Sequence, residues 1–272
     1  MSEHTYSIDD LLYLMARLRD PHTGCPWDIK QDYASIAPST LEEAYEVVDA
    51  IEKQDFVHLK EELGDLLFQV IFYSQLGSEQ QRFDFASVVS GLVEKLVRRH
   101  PHVFPDGTLQ SQIDNRHTLP GDIKARWEVI KQQEREAKGA RSLLADVPLN
   151  LPALSRAAKL QKRAAGVGFD WQDVSGPIAK VREELQEVEE ALHGKDSQAL
   201  EEELGDLLFS VVNISRYLKI DPEQALRKAN HKFEQRFSYI EAHIVPSLAA
   251  AGIEEMNRLW DEAKKTIPGK SE

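Results

Sequence analysis

Glu61-Glu62-Leu63-Gly64-Asp65-Leu66-Leu67-Phe68 recurs letter for letter as Glu202-Glu203-Leu204-Gly205-Asp206-Leu207-Leu208-Phe209, and the repeat decides the architecture. Upstream of the first copy stand Glu42, Glu43 and Glu46; upstream of the second stand Glu183, Glu184 and Glu187, all at one offset of 141 positions. No insertion or deletion separates acidic cluster from octapeptide in either copy. A chain of 272 residues that carries one device twice reads as two related domains, each of about 130 residues and able to bury its own core.

Apolar residues recur at three- and four-residue steps over Ile8 to Leu18, Leu41 to Ile51, Leu59 to Leu76, Phe85 to Val97 and Ile123 to Ile130. The second half repeats the plan over Leu154 to Ala165, Ile178 to Leu192, Leu200 to Leu218, Ala225 to Ile240 and Met256 to Ala263. Sustained two-residue alternation is missing, so the expected fold is all-α, two tandem helical bundles with antiparallel neighbours. Gly139, Pro148, Asn150 and Pro152 mark the junction and give domains 1–140 and 141–272. Pro101 to Pro120 reads as a long loop, mobile or lid-like. Pro38, Ser39 and Thr40 precede the first acidic run, and Thr40 with Glu43 has capping-box spacing, which predicts Glu43 in the first turns of its helix.

The 46 Asp and Glu residues outnumber 33 Lys and Arg, for a net charge of −13, which argues against a nucleic-acid polymer or an anionic membrane as partner. One cysteine, Cys25, excludes an intrachain disulfide and fits a reducing cytosol. With no signal-like N-terminus and no long apolar run, the chain reads as soluble and cytoplasmic.

On a helix, Glu43 and Glu46 share a face, as do Glu184 and Glu187; Glu62 with Asp65, and Glu203 with Asp206, pair likewise on the next helix. An antiparallel hairpin converges four carboxylates in each half. Like charges held together are unfavourable until a hard cation joins them, and an all-oxygen, histidine-free set favours Mg²⁺ or Mn²⁺ over zinc. A single Glu-Glu-x-x-Glu run fits a solvated face equally well, but Glu-x-x-Asp sits among Leu63, Leu66, Leu67 and Phe68, where an unpaired acid is costly. Gly64 and Gly205, each about 1 kcal/mol worse than alanine in mid-helix, suggest close approach by another backbone or a ligand.

Cations repeat too. Lys95 and Arg99 stand four apart, as do Lys232 and Arg236; Trp127 precedes Lys131 by four, as Trp260 precedes Lys264. Trp and Lys one turn apart can stack a base and hold a phosphate, although either pair alone reads as core and surface. Lys180 precedes the second acidic cluster where the first half has Ser39, so the C-terminal half is the better phosphate site. There is no Gly-x-x-x-x-Gly-Lys loop, His100 and His102 lack further zinc ligands nearby, and Cys25 reads as structural.

Glu-Glu-x-x-Glu followed by Glu-x-x-Asp resembles the MazG nucleoside triphosphate pyrophosphohydrolases, in both halves. Gly24 to Asp28, Arg98 to Phe104 and Val167 to Trp171 extend the resemblance over nearly the whole chain. It implies Mg²⁺ on Glu184, Glu187, Glu203 and Asp206, and nucleotide contacts at Lys180, Glu183, Lys232, Arg236, Trp260 and Lys264. A lysine found in some members before the second octapeptide is replaced by Ala199. Cleavage of ribo- and deoxyribonucleoside triphosphates to monophosphate and pyrophosphate, with relaxed base preference and in homodimers, is the implied activity. Glu183 or Glu202 is the candidate general base, and Glu43, Glu46, Glu62 and Asp65 form a second copy of the site. A non-catalytic helical module that binds nucleotide or a partner protein is the alternative.

Overall fold

The computed structural model describes residues 5–111, 126, 127, 129, 130, 133, 134, 142–194, 196–245, 247, 248 and 251–267. Among them every regular element is helical: α1 (Ile8–Leu18), α2 (Tyr33–Lys53), α3 (Phe56–Glu79), α4 (Phe85–Arg99), α5 (Ala153–Ala165), α6 (Ser175–Gly194), α7 (Ser197–Tyr217), α8 (Pro222–His243) and α9 (Ile253–Thr266), with a 3-10 turn at Asp28–Lys30. The all-α expectation holds. Residues 126, 127, 129 and 130 are also helical, whereas Lys131, Gly139 and the Pro101–Pro120 loop past Ser111 lie outside the described residues. The chain divides into two compact units, Met1–Gln133 and Glu134–Glu272. No helix among the described residues is long and apolar enough to cross a membrane.

In the first unit only Gln54 and Asp55 join α2 to α3, which makes the two an antiparallel hairpin. Gln54 ends α2 in the left-handed region at φ 57°, and Asp55 starts α3 by accepting the His58 N–H at 3.1 Å. Met15, Ile36, Ile71, Phe72 and Leu76 form the buried core where α1 and α2 meet α3, ringed by Leu11, Leu12, Tyr33, Phe68, Tyr73 and Phe85. Arg19 ties the Asp28 turn to the end of α3. Its Nε and Nη2 donate to the Glu79 carboxylate at 2.8 Å, and its Nη1 donates to the carbonyls of Asp28 and of Gln31, the latter at 3.2 Å.

The start of α2 corrects the capping expectation. Asp32 is the cap: it accepts the Ser35 N–H at 2.8 Å, while the Ser35 hydroxyl accepts the Asp32 N–H at 2.9 Å. Pro38 is carried inside the helix, where its missing N–H forfeits one bond early in the helix, and Glu43 falls nearly three turns in rather than in the first. The Thr40 hydroxyl instead meets the Tyr73 hydroxyl at 2.7 Å. Asp173, at the same 141-residue offset from Asp32, accepts the Ser175 N–H at 2.8 Å at the head of α6.

In the second unit α6 packs against α7, α5 against α7 and α8, and α9 against α8. Val212, Ile240, Leu259 and Ala263 are buried there, and so are three polar residues, Gln161, Glu184 and Ser210. Leu63, Leu67 and Val70 on α3, and at the repeat offset Leu204, Leu208 and Val211 on α7, form helical apolar stripes that stay 38–53% exposed. Gly64 and Gly205 adjoin these stripes. A Cβ added at either meets nothing within 4 Å, so the expected close approach by another backbone is not made within the described chain.

Candidate active site

The two hairpins gather acids as their helical spacing requires. Glu184 and Glu187 on α6 and Glu203 on α7 each bring a carboxylate oxygen within 4.8 Å of the others, with Glu184 buried. Asp206, the fourth expected ligand, stands outside that group but lines the same cavity as Glu184. In the first unit the group is Glu43, Glu62 and Asp65, which differs from the second in holding the Asp and leaving out Glu46, the counterpart of Glu187. Each hairpin thus clusters three of its four predicted carboxylates.

The charges in these clusters repel. A hydrogen bond to the Glu184 carboxyl, burial, and the negative charges of Glu184 and Glu203 push Glu187 above the usual carboxylate range. Glu43 is pushed up by burial and then by Asp65 and Glu46. Glu62 is pushed up by burial and by Glu46, against the pull of His58, whose Nε2 lies 2.5 Å from it. Oxygen-only donors with surplus negative charge fit a hard divalent cation. The second unit also holds an internal counter-ion: Lys180 donates from Nζ to Glu184 at 2.7 Å and to Glu183 at 2.9 Å. Those two contacts, Glu184 first, hold its ammonium well above the ordinary lysine range.

Beside this cluster opens a cavity of about 750 Å³, within the range of small-molecule sites. Lys180, Glu184 and Asp206 give it a charged wall; Leu144, Leu160, Ala164, Phe169, Trp171 and Phe209 give it apolar ones. Gly176 lets Trp171 lie close, since a Cβ there meets the indole at 2.3 Å. The remaining expected residues sit elsewhere. Lys232, Arg236, Trp260 and Lys264 do not line the cavity. The Arg236 guanidinium lies 5.8 Å from the Trp260 ring centroid, Phe233 packs 5.4 Å from that ring, and Lys264 pairs with Asp261 at 2.9 Å. In the first unit Trp127 meets His100 edge-on at 5.0 Å. Glu183 and Glu202 are both exposed, the former paired with Lys180. His58, Gln161, Trp171 and Asn213 had no role assigned from sequence. His58 is legible as an i, i+4 partner of Glu62, but Gln161 and Asn213 carry no local signal, because the cavity that gives them meaning is assembled from α5 and α7.

Residues 31–104 and 172–240 match the sequence model of the MazG nucleotide pyrophosphohydrolase domain. The chain belongs to the MazG family. A nucleoside triphosphate pyrophosphohydrolase of Escherichia coli is 49% identical over 95% of this chain and 97% of its own length. The MazG nucleoside triphosphate pyrophosphohydrolase/pyrophosphatase of Thermotoga maritima is 43% identical over 97% of this chain and 98% of its own. A Mycolicibacterium smegmatis protein of the former name is 32% identical over 63% of this chain. As a tandem MazG protein, the chain is a metal-dependent nucleotide pyrophosphohydrolase with its acidic hairpin present twice.

Proposed function

We propose that the second unit hydrolyses ribo- and deoxyribonucleoside triphosphates to monophosphate and pyrophosphate, with Mg²⁺, or Mn²⁺ in its place, held by Glu184, Glu187, Glu203 and Asp206. The observation that carries this reading is the shared wall of Lys180, Glu184 and Asp206 along one cavity of nucleotide-compatible size. The bound ion supplies Lewis-acid polarisation of phosphoryl oxygens and a more acidic water. Water cleaves the bridge between the α and β phosphorus atoms, and Glu183 or Glu202 takes its proton. Lys180, at the cavity, balances the charge of the departing pyrophosphate; Lys232, Arg236, Trp260 and Lys264, which do not line the cavity, are carried over from the family pattern as further nucleotide contacts.

The same proposal divides the chain into MazG-like domains 1–140 and 141–272, with Glu43, Glu46, Glu62 and Asp65 as a second, weaker site, because Ser39 stands where Lys180 does. It also includes a homodimer, supported by the exposed stripes beside Gly64 and Gly205, and a cytoplasmic setting, supported by the lone Cys25. The test is release of pyrophosphate from each nucleoside triphosphate with Mg²⁺ and with EDTA. The Glu203→Ala/Asp206→Ala chain is expected to lose at least about 100-fold in kcat while keeping its helical spectrum. Turnover in that double variant at the rate of the unaltered chain refutes the site.

A further inference from the structure

We infer that the cavity beside Glu184 reads the nucleobase through two oriented amides, Gln161 as a fixed acceptor and Asn213 as a fixed donor; this rests on the nucleotide reading above. Gln161 is 8% exposed, and its Nε2 donates to the Phe209 carbonyl at 2.8 Å, which leaves Oε1 as its remaining polar atom. That oxygen is buried and has no hydrogen-bond partner among the described residues. A buried amide oxygen left unsatisfied is unfavourable, and a ligand N–H in the cavity resolves it.

Asn213 is oriented from the other side. Its Oδ1 accepts from Arg216 Nε at 3.0 Å, and Arg216 is anchored in turn by Asp170, Nη1 to Oδ2 at 3.1 Å. With its oxygen engaged, Asn213 offers the cavity its Nδ2 hydrogens. Gln161 donates to the carbonyl of Phe209, about one helical turn before Asn213 on α7, so the two residues reach the cavity from adjoining turns of packing. Both line the cavity that Lys180, Glu184 and Asp206 also line. The first unit has no such device. At the repeat offset Asn213 is matched by Phe72, which is fully buried in the core.

An acceptor beside a donor complements the pairing edge of every common base: the amino group and ring nitrogen of adenine or cytosine, and the ring N–H and carbonyl of guanine, uracil or thymine. The cavity therefore requires a base without choosing among them. Turning the donor into a second acceptor makes it choose, since among these edges guanine alone offers two adjacent N–H groups.

Asn213→Asp makes that change and keeps an oxygen for Arg216. Affinities for the four ribonucleoside triphosphates are read by titration calorimetry in EDTA, so that binding is measured without turnover. Asn213→Asp is expected to raise the guanosine-to-adenosine affinity ratio by about ten-fold over that of the unaltered chain. Gln161→Met, of similar volume, is expected to weaken all four nucleotides by about ten-fold while inorganic triphosphate, which has no base, binds as before. A uniform change across the four bases in Asn213→Asp, or equal losses for nucleotide and inorganic triphosphate in Gln161→Met, overturns the inference. Absence of pyrophosphate release with Mg²⁺ in the unaltered chain refutes the hydrolase reading instead, and the calorimetric ratios still decide the base pocket.

Discussion

Arg19 shows how one charged residue can organise a helical unit without belonging to its chemistry. Only 6% of its side chain is exposed, and it binds Glu79 and two turn carbonyls at once. The hydrogen bonds from Arg19 hold the Glu79 carboxyl below its ordinary value of 4.5. A depressed carboxylate adds stability that is present above pH 4.5 and is lost as pH falls through its folded value. Glu79→Gln is expected to cost about 1 kcal/mol at pH 7, a figure kept low because solvent screens an acid whose side chain is 35% exposed. Urea denaturation is the measurement. The gap between variant and parent closes as pH drops below 4.5, and a gap that stays constant contradicts the account.

Helix boundaries follow side-chain hydrogen bonds more closely than proline. Asp32 with Ser35 starts α2 six residues ahead of Pro38, so Asp32→Ala is expected to lower stability by about 1 kcal/mol in thermal denaturation. At Thr40, where the sequence places a cap, the hydroxyl instead bonds Tyr73, and it has no capping role to lose. The interiors of the helices were legible because apolar periodicity is a local property: Ile8–Leu18 is found over the residues the pattern marks. The clustering of Glu184, Glu187 and Glu203 was legible for a related reason, since i, i+3 spacing and a tight hairpin fix it. The cavity was not. Gln161 and Asn213 belong to helices 48 residues apart along the bond that joins Gln161 to Phe209, and no local pattern encodes such a contact.

At the scale of the whole molecule, the duplicated stripes Leu63-Leu67-Val70 and Leu204-Leu208-Val211 depart from an inward-facing apolar pattern in both units. They flank glycines that no described atom approaches, which suits a helix from a second copy. Leu208→Glu places a charge in the centre of the second stripe. On the homodimer proposed above, it is expected to shift the protein from dimer to monomer in light-scattering chromatography, with its helical content kept. An unchanged mass removes that stripe from the assembly.

Lys180 has a consequence that reaches beyond charge balance. Its ammonium is engaged by Glu183 and Glu184, so a divalent ion drawn to Glu184 competes with it. A lysine displaced in this way is free to meet phosphate, and a lysine drawn off by phosphate leaves Glu184 open to the ion. On the proposed assignment of the ion to Glu184 and phosphate to Lys180, the two ligands are thermodynamically linked through one side chain, and each raises the affinity for the other by the same factor. The first unit has Ser39 at that position, which carries no charge to exchange in this way.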